Sequence, residues 1–482
     1  MTQGRSRDTL TRGTALGLLS EAMILPTGIV SAAVLTRSLG PDGYGLIGVV
    51  MAAISPVAWL ITSVLGLRSS VKIVGDANNP LEAASALLRA NLILGSIGAV
   101  LFAFAAPWIA AALGHPGITL ALILGSFEIL LMPVARSHRD ALVGVRSYSN
   151  AGIAGGVFHV ARLATIILLL LLGVGIETVV CAHIVGRLGE ILWCRAHVPV
   201  PLLLKFKLAT PATARIVGPT FANAVCLRIA DSVDLLLLSA LGAGTTVLGH
   251  YSAAVMLTQI PRMLNLIVGP GLIVAISSAL RAGDTALAAA IREDASRLVA
   301  AVLACLLVGA GAAPTVLTVL FGAPFEAGTG ILRLLLIGGA GIIVFGITTA
   351  EFVAENRPWA PVAISLPMVM LNVALLFVLV PSFGAEGAAL ATSVAFVASG
   401  VASVCLMAEG KGRRVRHLSA GIIAGLAGGG IAAGLAAAEF PVLDLATGSL
   451  VALLVLSATG VVDREIVLRF TRSYPWAKER GS

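Results

Sequence analysis

Six arginines, Arg37, Arg162, Arg187, Arg228, Arg262 and Arg333, stand inside long apolar runs and are the residues best placed to do chemistry. A guanidinium at mid-depth in hydrocarbon costs roughly 2.5–3.5 kcal/mol on insertion scales, so it normally faces a cavity or a partner. Its planar fork donates two parallel hydrogen bonds to phosphate oxygens and never loses its proton, which suits a diphosphate. Arg162, Arg187, Arg228 and Arg262 fall nearest the middle of their runs and are the candidate anion ligands. Arg187 and Glu190 are three apart, as are Arg228 and Asp231, with Asp234 continuing the second stripe. Helical side chains at that spacing are neighbours, so local neutralisation competes with ligand binding for those two arginines. Arg162 and Arg262 have no acidic residue three or four positions away and lead the list. Arg37 lies near the end of its run, where it can snorkel, and its expected role is to hold a turn.

Six carboxylates share these runs: Glu21, Glu128, Glu190, Asp231, Asp234 and Glu351. A carboxylate in such surroundings can bind and release a coupling proton or sodium ion. Glu21 and Glu128 lack a partner at helical spacing and lead the coupling candidates, ahead of Asp231 and Asp234. The competing role for Glu128 is an interhelical ion pair with Arg162. Five cysteines scattered singly, with no CxxC, point to neither a disulfide framework nor a zinc site. No catalytic residue, metal or cofactor is expected.

The elements that carry these charges follow from composition. The 482-residue chain is 58% hydrophobic and 12% charged, with a mean hydropathy of +1.00. A soluble domain would hold about twice that charged fraction. Backbone polar groups must be satisfied internally in lipid, so repeated apolar runs of roughly 20 residues are helices. They are expected near residues 14–37, 45–67, 90–113, 118–136, 151–173, 177–196, 216–241, 250–274, 297–320, 330–352, 358–380, 387–408, 418–438 and 445–462. The fold class is therefore an all-α integral membrane protein of about fourteen transmembrane helices.

Topology is written in the loops. Those centred on residues 40–44, 114–117, 173–177, 242–249, 321–329, 381–387 and 439–444 contain no Lys or Arg. Of 32 basic residues, 26 remain once the six intrahelical arginines are set aside, and they fall in the alternate loops and tails. The positive-inside rule then puts both termini in the cytoplasm. The pI near 9.7 reflects these topology signals and contacts to anionic lipid, not a nucleic-acid surface.

The chain also reads as a duplication. Leu39 to Gly45 answers to Leu241 to Gly249, Pro56 to Pro261, and Arg146-Ser-Tyr148 to Arg357-Pro-Trp359. Six helices per repeat give both repeats the same orientation, related by a pseudo-twofold axis along the membrane normal. The expected organisation is a six-helix bundle over residues 1–198 and a second over 199–410, with a linker at 196–215. Helices 13 and 14 and a cytoplasmic tail, residues 411–482, lie outside the repeat.

The stretch Leu35-Thr-Arg-Ser-Leu-Gly-Pro-Asp-Gly-Tyr-Gly45 resembles the signature of bacterial polysaccharide transporters, the lipid-linked oligosaccharide flippases of the Wzx type. Asp234 to Gly242, Gly249-His-Tyr251, Leu320-Phe-Gly322 and Gly387 to Thr392 extend the similarity, which covers about residues 10–410. That family belongs to the superfamily that also holds MATE drug exporters and flippases for peptidoglycan precursors. The resemblance implies two bundles about a central cavity that alternates its opening in a bacterial cytoplasmic membrane. It further implies an undecaprenyl-diphosphate-linked oligosaccharide or repeat unit as cargo, for whose diphosphate Arg162, Arg262, Arg228 and Arg187 are the candidate ligands by their mid-depth positions. Cytoplasmic glycosyltransferases would supply that cargo, and an outer polysaccharide polymerase would receive it. A cation-coupled drug exporter is the alternative transporter, but four central arginines oppose it. A membrane glycosyltransferase or polysaccharide polymerase would need a sizeable outer domain, whereas every outer loop is short. No nucleotide-binding loop is present.

Overall fold

A computed structural model describes residues 23–64, 80–201, 214–407, 411–437 and 443–461 of the chain. These residues form helices throughout: α1 (Ile24–Val64), α2 (Pro80–Ala112), α3 (Thr119–Gly144), α4 (Tyr148–Leu171), α5 (Glu177–His197), α6 (Ala214–Ala230), α7 (Val233–Ala240), α8 (Thr245–Leu257), α9 (Gln259–Arg281), α10 (Thr285–Gly311), α11 (Ala313–Phe321), α12 (Thr329–Ala354), α13 (Ala360–Leu406), α14 (Lys411–Ala437) and α15 (Leu443–Ala458). Nine helical stretches among the described residues are long and apolar enough to cross a membrane. Every expected segment overlaps helix, because two long helices are each two spans joined by a glycine. α1 turns at Gly40 (φ 64) and α13 at Gly384 (φ 56), left-handed backbone that a side chain disfavours. Conversely, three expected spans are interrupted: α6 and α7 break at Asp231–Ser232, α8 and α9 at Thr258, and α10 and α11 at Ala312.

Several helices outrun their apolar cores. α2 starts at Pro80, ten residues before the expected boundary, and at roughly 1.5 Å per residue its 33 residues reach about 50 Å. α10 starts at Thr285 instead of 297, with the Asp284 carboxylate accepting the Leu287 amide at 2.8 Å as its N-cap. Apolarity marks only the part of a helix in hydrocarbon, while caps and prolines set the ends.

Packing divides the chain into two units. The first comprises residues 1–256, 320–325 and 373–388, and the second residues 257–319, 326–372 and 389–482. This grouping differs from the expected boundary near residue 198. In the first unit α2 packs on α3, α4 on α5, and α1 on α3. The two turns read as duplicates also meet there. Thr245 and Thr246 hydroxyls both donate to Asp42 Oδ1 at 2.6 Å, and a Cβ at Gly249 would collide with the Pro41 carbonyl. Helices 214–256 thus join the unit that contains α1.

In the second unit α9 packs on α12, and α10 against α12, α14 and α15. Gly421, Gly425 and Gly429, at four-residue intervals, form the α14 face toward α10. A Cβ at Gly421 would strike the Ala300 carbonyl, at Gly425 the Leu307 side chain, and at Gly429 the Leu307 carbonyl. Lipid supplies no hydrophobic drive between helices, so close backbone approach along small residues is what joins the two extra helices to the unit.

Candidate functional site

In the first unit the structure gathers three of the sequence-selected residues. Phe158 and Arg162 are four apart on α4, so the ring lies under the guanidinium, 5.8 Å from ring centroid to guanidinium carbon. Arg187 from α5 approaches the same ring at 4.0 Å. One aromatic ring thus serves two cations, an arrangement that favours each guanidinium once desolvated. α3 completes the group with Glu128, which is 5% exposed.

Arg187 is clamped. Its Nε donates to Glu128 Oε1 at 3.0 Å and its Nη1 to Glu190 Oε2 at 2.9 Å. The helical pairing with Glu190 matches the spacing argument. Glu128 does take an interhelical ion pair, the competing role, but with Arg187 in place of Arg162, since α5 packs on α3. Arg162 forms no ion pair within 4.0 Å among the described residues, and its Nε is buried without a hydrogen bond. Arg162, Arg187, Glu128 and Glu190 together carry no net charge, since two guanidiniums face two carboxylates. An arriving anion can therefore engage Arg162 without stripping Arg187 of its carboxylates. His159 and His183 flank Phe158 with ring centroids 5.0 and 5.9 Å away, and His183 Nδ1 lies 2.8 Å from the Val179 carbonyl, a packing role.

The remaining candidates stand elsewhere. Arg228 occupies the last turn of α6, Asp231 falls in the break that follows, and Asp234 opens α7. The expected single stripe of one basic and two acidic groups is thus cut by the break. Asp234 is buried, accepting the Tyr251 hydroxyl at 2.7 Å and the Leu235 amide at 2.8 Å. In the second unit Arg262 on α9 lies 5.5 Å from the Phe396 ring centroid on α13. Arg37 is exposed, three residues before the Gly40 turn, and Arg333 is exposed with its Nε donating to the Ala310 carbonyl at 3.2 Å. Glu21 lies outside the described residues. Sequence reasoning missed Phe158, for which the four-residue spacing from Arg162 was the available signal. It also missed the buried Arg414–Glu351 ion pair, whose partners are 63 residues apart and carry no local signal.

A helical chain of many apolar spans, with charged side chains buried between them, is a multi-pass membrane protein. It resembles the lipid II flippase MurJ in an inward closed conformation with a TM-score of 0.72, at 13% identity over 92% of this chain and 98% of that one. An inward-facing multidrug resistance MATE family transporter of the MOP superfamily aligns with a TM-score of 0.56, at 13% identity over 86% of this chain and 98% of that one. A single-residue mutant of the Vibrio cholerae MATE transporter VcmN aligns at 0.54, with 14% identity over 83% of this chain and 95% of that one. No curated protein matches the sequence. The family model for polysaccharide biosynthesis proteins matches residues 34–327. The chain belongs to that polysaccharide biosynthesis family, and its structural neighbours are flippases and transporters, not enzymes.

Proposed function

We propose that this protein is a flippase that moves undecaprenyl-diphosphate-linked oligosaccharide or polysaccharide repeat units to the outer leaflet of a bacterial cytoplasmic membrane. Alternating access carries the movement, and both termini face the cytoplasm. The observation that supports this reading most is Arg162, a guanidinium kept in an apolar span by a phenylalanine ring while its neighbour Arg187 takes both nearby carboxylates. A diphosphate offers the acceptor oxygens that such a fork lacks. Membership of a polysaccharide biosynthesis family and the likeness to a lipid flippase point to the same cargo class.

In this reading Arg162 and Arg262 contact the diphosphate and Arg228 assists. Arg187 holds the pocket wall through Glu128 and Glu190. Coupling to a proton or sodium ion falls to the carboxylates Glu21, Glu128, Asp231 and Asp234. A cytoplasmic glycosyltransferase and an outer polymerase are the partners this chemistry requires. A drug-exporter reading draws on the MATE-like fold, and the basic character of the candidate residues opposes it.

The deciding experiment reconstitutes the protein in liposomes and follows leaflet transfer of a labelled undecaprenyl-diphosphate oligosaccharide. Wild-type transfer that falls at least tenfold in folded Arg162→Ala and Arg262→Ala variants supports a flippase with a basic diphosphate site. Absence of wild-type transfer, with uptake of a cationic dye, moves the protein to drug export.

A further inference from the structure

The second unit holds a charged cavity beside the Arg414–Glu351 ion pair. It occupies the basic end of α10 and α14, where the extra helix pair joins the unit, and its volume is about 210 Å³, far more than one water needs. Its lining includes Arg292, Glu293, Ser296, Met407, Arg413 and Arg414. Three chains of ion pairs surround it. Glu293 accepts from Arg297 at 2.8 Å and from Arg413 at 3.1 Å, and Glu355 from Arg292 at 2.8 Å with Arg357 at 3.6 Å. Arg414 is paired with Glu351. Among the described residues these pairs set five arginines against three glutamates.

Arg414 is the telling residue. It is 4% exposed, and among the described residues it hydrogen-bonds to Glu351 and, through Nη1, to the Met407 sulfur at 3.3 Å, a weak acceptor. A buried guanidinium that lines a cavity and has more donors than its two partners among the described residues accept suits a polydentate anion. On the same helix Val415 and Ile422, two turns apart on one face, are exposed at 54% and 44% and offer an apolar track leading away from the charges.

We propose that this cavity binds a phosphate group, with Arg292, Arg413 and Arg414 as its donors. The ligand clamps α14 to α10 where the transporter core meets its last two helices. An anionic phospholipid head and a free phosphate share this chemistry, and the exposed Val415 and Ile422 favour the lipid. The proposal does not rest on the flippase reading.

The test uses the full chain in neutral detergent. Its thermal unfolding is titrated with dioctanoyl phosphatidylglycerol, with dioctanoylglycerol as the phosphate-free control, and with inorganic phosphate. Arg413→Gln removes an exposed donor without threatening the fold, Ala289→Phe plugs the cavity without changing charge, and Arg333→Gln matches the charge change elsewhere. The expected result is saturable stabilisation by phosphatidylglycerol and none by dioctanoylglycerol, weakened at least fivefold in Arg413→Gln and Ala289→Phe and unchanged in Arg333→Gln. Equal stabilisation by inorganic phosphate, lost in the same two variants, keeps the site and assigns it to free phosphate. Stabilisation by neither phosphate compound, or equal stabilisation of all variants, overturns the proposal.

Discussion

Two arginines on the same phenylalanine ring make opposite predictions. Removing Arg187 leaves Glu128 and Glu190 buried with no cation between them, and breaking such a pair costs about 3–5 kcal/mol. Arg187→Ala is therefore expected to lower the unfolding midpoint sharply, and the triple change with Glu128→Gln and Glu190→Gln to recover most of the loss. Arg162 gives up a ring contact, worth about 0.5–2 kcal/mol, and a Coulombic attraction to Glu128, and its removal relieves the cost of a half-buried charge. Arg162→Ala should keep the wild-type stability within about 1 kcal/mol while losing transfer. Equal destabilisation by both variants would make Arg162 structural and remove it from the site.

At the level of elements, glycines decide where helices turn and how closely they pack. Gly40 joins the two halves of α1 at φ 64, and left-handed backbone costs an alanine about 1–2 kcal/mol. Gly40→Ala should lower stability by that amount although open space surrounds the position. On α14 the demand is steric instead. Gly421→Val is expected to cost about 1–3 kcal/mol by driving α14 off the Ala300 carbonyl of α10. Gly430, exposed on the same helix with nothing nearby, should accept alanine with a gain of up to about 1 kcal/mol in helix propensity. Chemical unfolding of the three variants in one detergent checks all of these, and a neutral Gly421→Val would show that α14 is not held by the glycine stripe.

For the molecule as a whole, the alternation of basic and basic-free loops predicts sidedness. A cysteine at Ala243, in the outer turn, should react with an impermeant maleimide in intact cells, and one at Ser147, beside Arg146, only after the cells are opened. The reverse labelling would invert the topology. The charge of the proposed cargo adds a second expectation. Moving a group of charge near −2 out of a negative cytoplasm releases about 2.3 kcal/mol per charge per 100 mV, so an inside-negative potential should accelerate outward transfer in liposomes. Turnover indifferent to an imposed potential would argue that the diphosphate crosses neutralised.

Much of this protein is legible residue by residue, because each membrane helix satisfies its own backbone and needs only a run of apolar side chains. The apolar segments, the glycine turns after Leu39 and Phe383, and the pairing of Arg187 with Glu190 are local facts of this kind. The helix ends at Pro80 and Thr285 are less visible, since they lie outside the apolar runs, the second being set by the Asp284 cap. Tertiary structure alone decided which distant charges meet: Glu128 with Arg187 across 59 residues, and Glu351 with Arg414 across 63. It also decided that the helices after residue 214 group with α1, through turns that interlock at Asp42 and Gly249. Such contacts depend on the depth and rotation of each helix, which are set where small residues let neighbouring backbones approach, and no single segment encodes them.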